Sequence, residues 1–184
     1  MTVKLIGTDT AGDTVFNIGY VRTTQYTCAL SGSLSEINVY CTANGDVRVA
    51  LYSDNADDLG TLLGESADTA ITATGWKSVS LGTPVNVVSG TKYWLAVQIK
   101  VVNTGATYRT VTARSGYYTQ AYGAFPANGP NTGIQTTLEF ALQGYGTPPG
   151  WANIASVNGA TATDLASWNG ATLTDLASWS GADV

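Results

Sequence analysis

The sequence predicts an all-β chain: an antiparallel β-sandwich of jelly-roll type, followed by a short repeat-containing C-terminal tail. Three observations lead there. Apolar residues alternate with polar ones in short runs, as in Val47, Val49 and Leu51 or Tyr93, Leu95, Val97 and Ile99, the period-two pattern of a half-buried strand. Turn chemistry such as Asn44-Gly45 separates the runs. No apolar stripe of three helical turns occurs between Val15 and Gly146. Eight or nine short strands with frequent turns read as a sandwich rather than as a parallel sheet.

Gln25–Leu30 and Leu34–Cys41 are expected strands flanking Ser31-Gly32-Ser33, read as a tight hairpin connection. In the second of these Ile37, Val39 and Cys41 share one face. Asp46–Ser53 follows, with Val47, Val49 and Leu51 inward, and then an acidic loop, Asp54–Gly60. Leu62–Gly64 and Thr69–Thr72 are short strands or their edges, and Gly75–Leu81 and Pro84–Val88 are two more. Lys92–Val102 carries Tyr93, Leu95, Val97 and Ile99 on one face and Trp94 and Ala96 on the other. Apolar groups on both faces predict a central strand, covered from two sides. Tyr108–Ala113 and Thr136–Leu142 complete the set, with Leu138, Phe140 and Leu142 inward and Glu139 outward. The reading places a β-sandwich domain at 1–146 and a Pro/Gly linker at 147–153, where Pro148-Pro149 bars helix and central strand.

The tail, 154–184, is an eleven-residue repeat. Ile154-Ala-Ser-Val-Asn-Gly-Ala-Thr-Ala-Thr-Asp164 is followed by Leu165-Ala-Ser-Trp-Asn-Gly-Ala-Thr-Leu-Thr-Asp175 and a partial third copy to Val184. One such unit cannot bury its own large apolar side chains, and about three are normally needed to stack. The tail is therefore expected to pack against a partner surface. A trimer or other cyclic homo-oligomer, with Leu165, Trp168, Leu176 and Trp179 at the axis, removes the difficulty. Thr163-Asp164 and Thr174-Asp175 suit helix caps, and Asn-Gly suits a turn between strands, so the repeat reads as either form.

Composition narrows function by exclusion. Only 11% of the 184 residues are charged, against about 25% in ordinary globular domains. All eight Lys and Arg lie between Lys4 and Arg114 without forming a basic cluster, which argues against nucleic-acid binding. No apolar run has the length of a membrane span. There is no His, which removes the commonest general base, and the glutamates Glu36, Glu65 and Glu139 form no recognisable pair. No phosphate-binding glycine motif occurs. The expectation is a protein that is not an enzyme. Met1–Gly7 lacks the apolar stretch of a signal peptide. The expectation is either a protein made and assembled in a cytoplasm, which a protein made inside a cell and working outside it would fit, or an N-terminus that has been trimmed.

Three clusters stand out as candidate sites. Asp54, Asp57 and Asp58 offer hard oxygens for Ca²⁺ within one loop, the alternative being an Asp/Asn turn that bonds its own backbone. Tyr117, Tyr118, Tyr122 and Phe125 stand among Gly, Ala, Pro and Asn. They read as a sugar-binding or protein interface, or as the local core of a loop folded over the sandwich. Cys28 and Cys41 read as a cross-strand disulfide or as two small buried hydrophobes. Trp76 and Trp94 are expected in the core.

Val49-Ala-Leu-Tyr-Ser-Asp54, Gly60-Thr-Leu-Leu-Gly-Glu65, Gly75-Trp76 and Gly90-Thr-Lys-Tyr-Trp-Leu-Ala-Val97 occur in that order. The series, over roughly residues 15–145, resembles the β-sandwich modules of phage virion proteins and of bacterial or archaeal surface proteins. The tail resembles the Ile-Ala-x-Val-Asn-Gly repeats near the ends of phage structural proteins. The resemblance implies a binding or display module at a virion surface or in an extracellular setting. Its partners are then copies of itself, other virion proteins or surface glycans. The leading expectation is a virion decoration or fibre protein; a carbohydrate-binding adhesin module and an extracellular filament subunit are the alternatives.

Overall fold

The run Lys92–Ile99 organises the molecule, because its two apolar faces demand cover on both sides. In the computed structural model, which describes residues 2–16, 19–100, 105–130 and 133–149, this segment is a strand buried from Tyr93 to Ile99. Among the described residues thirteen strands surround and include it. They are β1 (Val3–Gly7), β2 (Thr14–Val15), β3 (Tyr20–Thr27), β4 (Gly32–Cys41), β5 (Gly45–Asn55), β6 (Asp58–Glu65) and β7 (Thr69–Ile71). β8 (Gly75–Val87), β9 (Lys92–Ile99), β10 (Thr107–Thr110), β11 (Ser115–Thr119), β12 (Leu138–Phe140) and β13 (Leu142–Thr147) follow.

Two antiparallel sheets make the sandwich. One has the order β1-β13-β4-β8; the other runs β11-β3-β9-β5-β6, with β7 also pairing β5. A small third sheet has the order β12-β10-β2. β9 lies between β3 and β5, so the doubly apolar strand is central as its sequence predicts. Tyr93, Leu95, Val97 and Ile99 enter the main core, where they meet Leu34, Ile37, Val39, Val79, Leu81 and Leu142 of the opposite sheet. Trp94 and Ala96 face the other way, into a second cluster with Val21, Ala50, Tyr52, Leu59, Tyr118 and Phe125. Consecutive strands β3, β4 and β5 alternate between the two sheets, as they do in a jelly roll.

That alternation corrects one local expectation. Ser31-Gly32-Ser33 does not join a hairpin: β3 pairs β9 and β11, whereas β4 pairs β8 and β13. The chain arches from one sheet to the other, and a short Ser/Gly turn serves either geometry. The disulfide falls with it. Cys28 follows β3 beside the start of β4, whereas Cys41 ends β4, so about 30 Å of strand separates them at about 3.3 Å per residue. A disulfide needs Cα atoms within about 7 Å. Both thiols are free and buried. Cys28 lies within reach of the carbonyls of Leu5 and Leu30. Burial pushes the Cys41 thiol up to about 12, so it stays protonated.

The predicted strands Gly75–Leu81 and Pro84–Val88 are one thirteen-residue strand, β8, paired along β4 with a register shift between Leu34 and Glu36. Glu139 alternates with the core residue Phe140 as expected, but it is covered rather than exposed, buried in a pair with Arg109. β1, which had no place in the predicted set, lies antiparallel to β13, with Val3 opposite Gly146.

Candidate functional site

The acidic segment after β5 is a two-residue hairpin turn rather than a loop. Asn55 pairs with Asp58, and Ala56 and Asp57 both take left-handed backbone angles, φ 51° and 70°, as a type I′ turn requires. Asp54 accepts hydrogen bonds from Gln25 Nε2 (2.6 Å), from the Trp94 indole (2.9 Å) and from the Asp57 backbone N–H (3.2 Å). Asp57 accepts from Gln25 (2.8 Å) and Lys92 (2.6 Å). The Lys92 ammonium, then Gln25, hold its carboxyl below the usual carboxylate range. Asp58 is an exposed residue of β6. Among the described residues no three potential ligands gather to hold a metal ion. The Ca²⁺ expectation for Asp54, Asp57 and Asp58 is thus replaced by its alternative, an Asp turn bonding its own backbone, with Asp54 also anchoring the buried indole.

The aromatic segment after β11 divides. Tyr118 and Phe125 are buried, with the Tyr118 hydroxyl 3.4 Å from that of Tyr52 and the Phe125 ring edge-on to Tyr52 at 6.5 Å. Tyr52 also donates to the Pro126 carbonyl. Burial drives the Tyr118 phenol up to about 12 and the Tyr52 phenol further. The chain beyond them is stitched to β6: Leu62 N–H donates to Ala127 and Gly129 N–H to Gly60. A Cβ at Gly129 would sit 2.2 Å from Leu59, so only glycine permits that approach. This segment is a roof over the outer face of the six-stranded sheet, and these two aromatics are its core. Tyr122 donates to Asp68 and lies 5.6 Å from the Lys100 ammonium. Tyr117, half-buried, stacks against Arg22. The four aromatics therefore do not form one exposed platform.

Leu165, Trp168, Leu176 and Trp179 lie outside the described residues, as does the repeat that carries them. Of the two tryptophans expected in the core, Trp94 is fully buried; Trp76 is not.

Trp76 belongs to a surface that the sequence reading missed. The outer face of the four-stranded sheet has no roof among the described residues. The strand registers place Tyr40 opposite Trp76, Asn38 between Ser78 and Gln143, and Glu36 between Ser80 and Tyr145. The Tyr40 and Trp76 rings pack edge to face at 5.5 Å and 78°. Ser78 donates to Glu36 (2.6 Å), and Gln143 donates to Asp9 (3.0 Å). Asn38 Oδ1 is buried without a hydrogen-bond partner. The face combines an aromatic pair with amide, hydroxyl and carboxylate groups, the mixture that hydrogen-bonds and stacks on a polar ring. The signal was present as alternation: in β4 the inward Ile37, Val39 and Cys41 leave Glu36, Asn38 and Tyr40 outward.

Comparison with curated proteins gives no match. The model of one family, the domain of unknown function DUF4082, matches residues 17–147. The match begins three residues before β3, runs through the end of β13 and so takes in strands of both sheets of the sandwich. On that span, which exceeds half of the chain, the protein belongs to the DUF4082 family.

Proposed function

We propose that this protein is a non-enzymatic structural subunit of a particle or fibre, of phage-virion type, that displays its β-sandwich and is held in the assembly by its C-terminal repeats. The observation that carries this reading is the eleven-residue repeat, with Trp168 and Trp179 at equivalent positions and too few copies to bury them alone. The carboxylates of the sandwich support it. Glu36 is bonded to Ser78, Glu65 to Arg48 and the Phe125 N–H, and Glu139 to Arg109, each in a separate structural contact. Deleting residues 151–184 and measuring mass by light scattering tests the reading. The full chain is expected as a trimer or other closed oligomer and the truncated chain as a monomer. An unchanged mass would overturn it.

A second reading, saccharide recognition by a displayed module, is favoured by the open Tyr40–Trp76 face. A glycan array probed with the full chain and with Trp76→Ala separates the two. Signal lost in the variant supports recognition at this face, and signal retained removes it.

A further inference from the structure

Four arginines occur in the chain, and three are engaged within the fold. Arg48 is paired with Glu65 and Arg109 with Glu139, and Arg114 donates to the Asp57 carbonyl. Arg22 differs. Its Nε is buried with no hydrogen-bond partner, and among the described residues it has no ion pair. Aromatic rings hold it instead: its guanidinium carbon lies 4.7 Å from the Tyr20 centroid, 5.0 Å from Tyr117 and 6.0 Å from Phe140. Stacked rings satisfy the face of a guanidinium and leave its N–H edge unused. Burial lowers the Arg22 pKa from its ordinary value, an effect the neighbouring tyrosines only oppose, yet the group remains charged. A half-buried cation with an orphaned N–H is costly to a fold unless an anion completes it.

The space beside it is shaped for one. Arg22, Phe16, Tyr108, Gln135, Leu138 and Phe140 line a cavity of about 230 Å³ between the three-stranded sheet and β3. The Phe16 and Phe140 rings meet edge to face at 5.4 Å, and Tyr108 tilts against Phe140 at 5.7 Å. The volume lies below the roughly 300 Å³ at which drug-sized ligand sites begin, which limits the occupant to about one ring. One cation and one side-chain amide, Gln135, are too few donors for a phosphate, which needs several and carries more charge. A planar guanidinium edge matches a carboxylate, which accepts two parallel N–H bonds.

We propose that this cavity binds a small monocarboxylate whose body is a single six-membered ring, with the carboxylate on the Arg22 N–H edge and the ring against Phe16, Tyr108 and Phe140. The inference is independent of the assembly reading and of the Tyr40–Trp76 face, which lies on the other sheet. Two sources share this chemistry, aromatic acids and acidic sugars, and the test separates them. The full-length chain is titrated by NMR with benzoate, glucuronate, glucose, benzyl alcohol and inorganic phosphate.

The expected result is saturable shifts of Arg22 Nε–H, Phe16 and Tyr108 with benzoate, glucuronate or both, the responding acid identifying the source. The neutral analogues should bind at least about tenfold more weakly, since the charge-assisted hydrogen bond is lost. Phosphate should bind more weakly too, having a single cation and no ring to place against Phe16, Tyr108 and Phe140. Arg22→Gln should lower affinity by a similar factor. Should Arg22→Gln fail to fold, Arg22→Lys keeps the charge without the fork and should still weaken binding. No shift with either acid overturns the proposal, as do phosphate binding equal to the acids and acid affinity unchanged in the folded Arg22 variant.

Discussion

The outer faces of the two sheets received similar residues and met different fates. On the six-stranded sheet Trp94 is fully buried, because the segment after β11 folds back over it and contributes Tyr118 and Phe125. On the four-stranded sheet Trp76 is only partly covered and pairs with Tyr40 across the strands. Both are tryptophans in strands rich in apolar residues. What separates them is a polypeptide roof, a property of chain path rather than of the residue. The covered face commits its aromatics to the core, and the open one leaves them partly exposed.

The contrast breaks first at the two tryptophans. Trp94→Ala should cost about 3–5 kcal/mol, the usual loss for a large buried aromatic, and it also leaves Asp54 without its indole donor. Trp76→Ala should cost far less, about 1 kcal/mol for a cross-strand pair. Urea midpoints measure both, and equal losses would erase the distinction. Next comes the roof itself. Phe125→Ala should destabilise by about 3 kcal/mol, with amide exchange rising between Ala121 and Pro130 before it rises in β5 or β9.

A smaller, pH-dependent effect sharpens the comparison. Tyr118 is raised to about 12 and Tyr52 further, both by burial under the roof. A phenol raised by folding contributes stability that is complete below its unfolded value, about 10, and is lost as pH rises through the folded value. The roof should therefore loosen between pH 10 and 12, seen as thermal stability falling over this range while phenolate absorbance is delayed. In Phe125→Ala the delay should shorten. The smallest effect lies at the β5–β6 turn. Ala56→Asn, at φ 51°, replaces a residue that resists the left-handed region with one that tolerates it. The gain expected is about 0.5–1 kcal/mol.

Strand identity was legible because burial on one face forces a period of two. The inward sets of β4, β5 and β9 follow directly from alternation, and the central place of β9 follows from its second apolar face. Pairing was not legible. A Ser/Gly turn between two strands looks the same whether it returns the chain to one sheet or arches it across to the other, and the residues that pair with β4 in β8 lie between 34 (Cys41 with Gly75) and 55 (Gly32 with Val87) positions away. The site residues failed for the same reason. Asp54, Asp57 and Asp58 are contiguous, but the ligands that settle their role, Gln25, Lys92 and Trp94, come from β3 and β9. The Arg22 cavity draws on β2, β3, β10 and β12 at once, and no window of sequence contains it.

The pairing of β1 with β13 sets how the sandwich bears load. Val3 lies opposite Gly146, so chain enters and leaves this sheet at one corner. A pull between those two points opens the ladder one pair at a time, beginning at Val3 and Gly146, instead of shearing all the pairs together. A pull transmitted through Thr147 alone meets β13 where β4 still holds its other edge. Load at that corner therefore peels β1 from β13 before it strains the seam between β13 and β4.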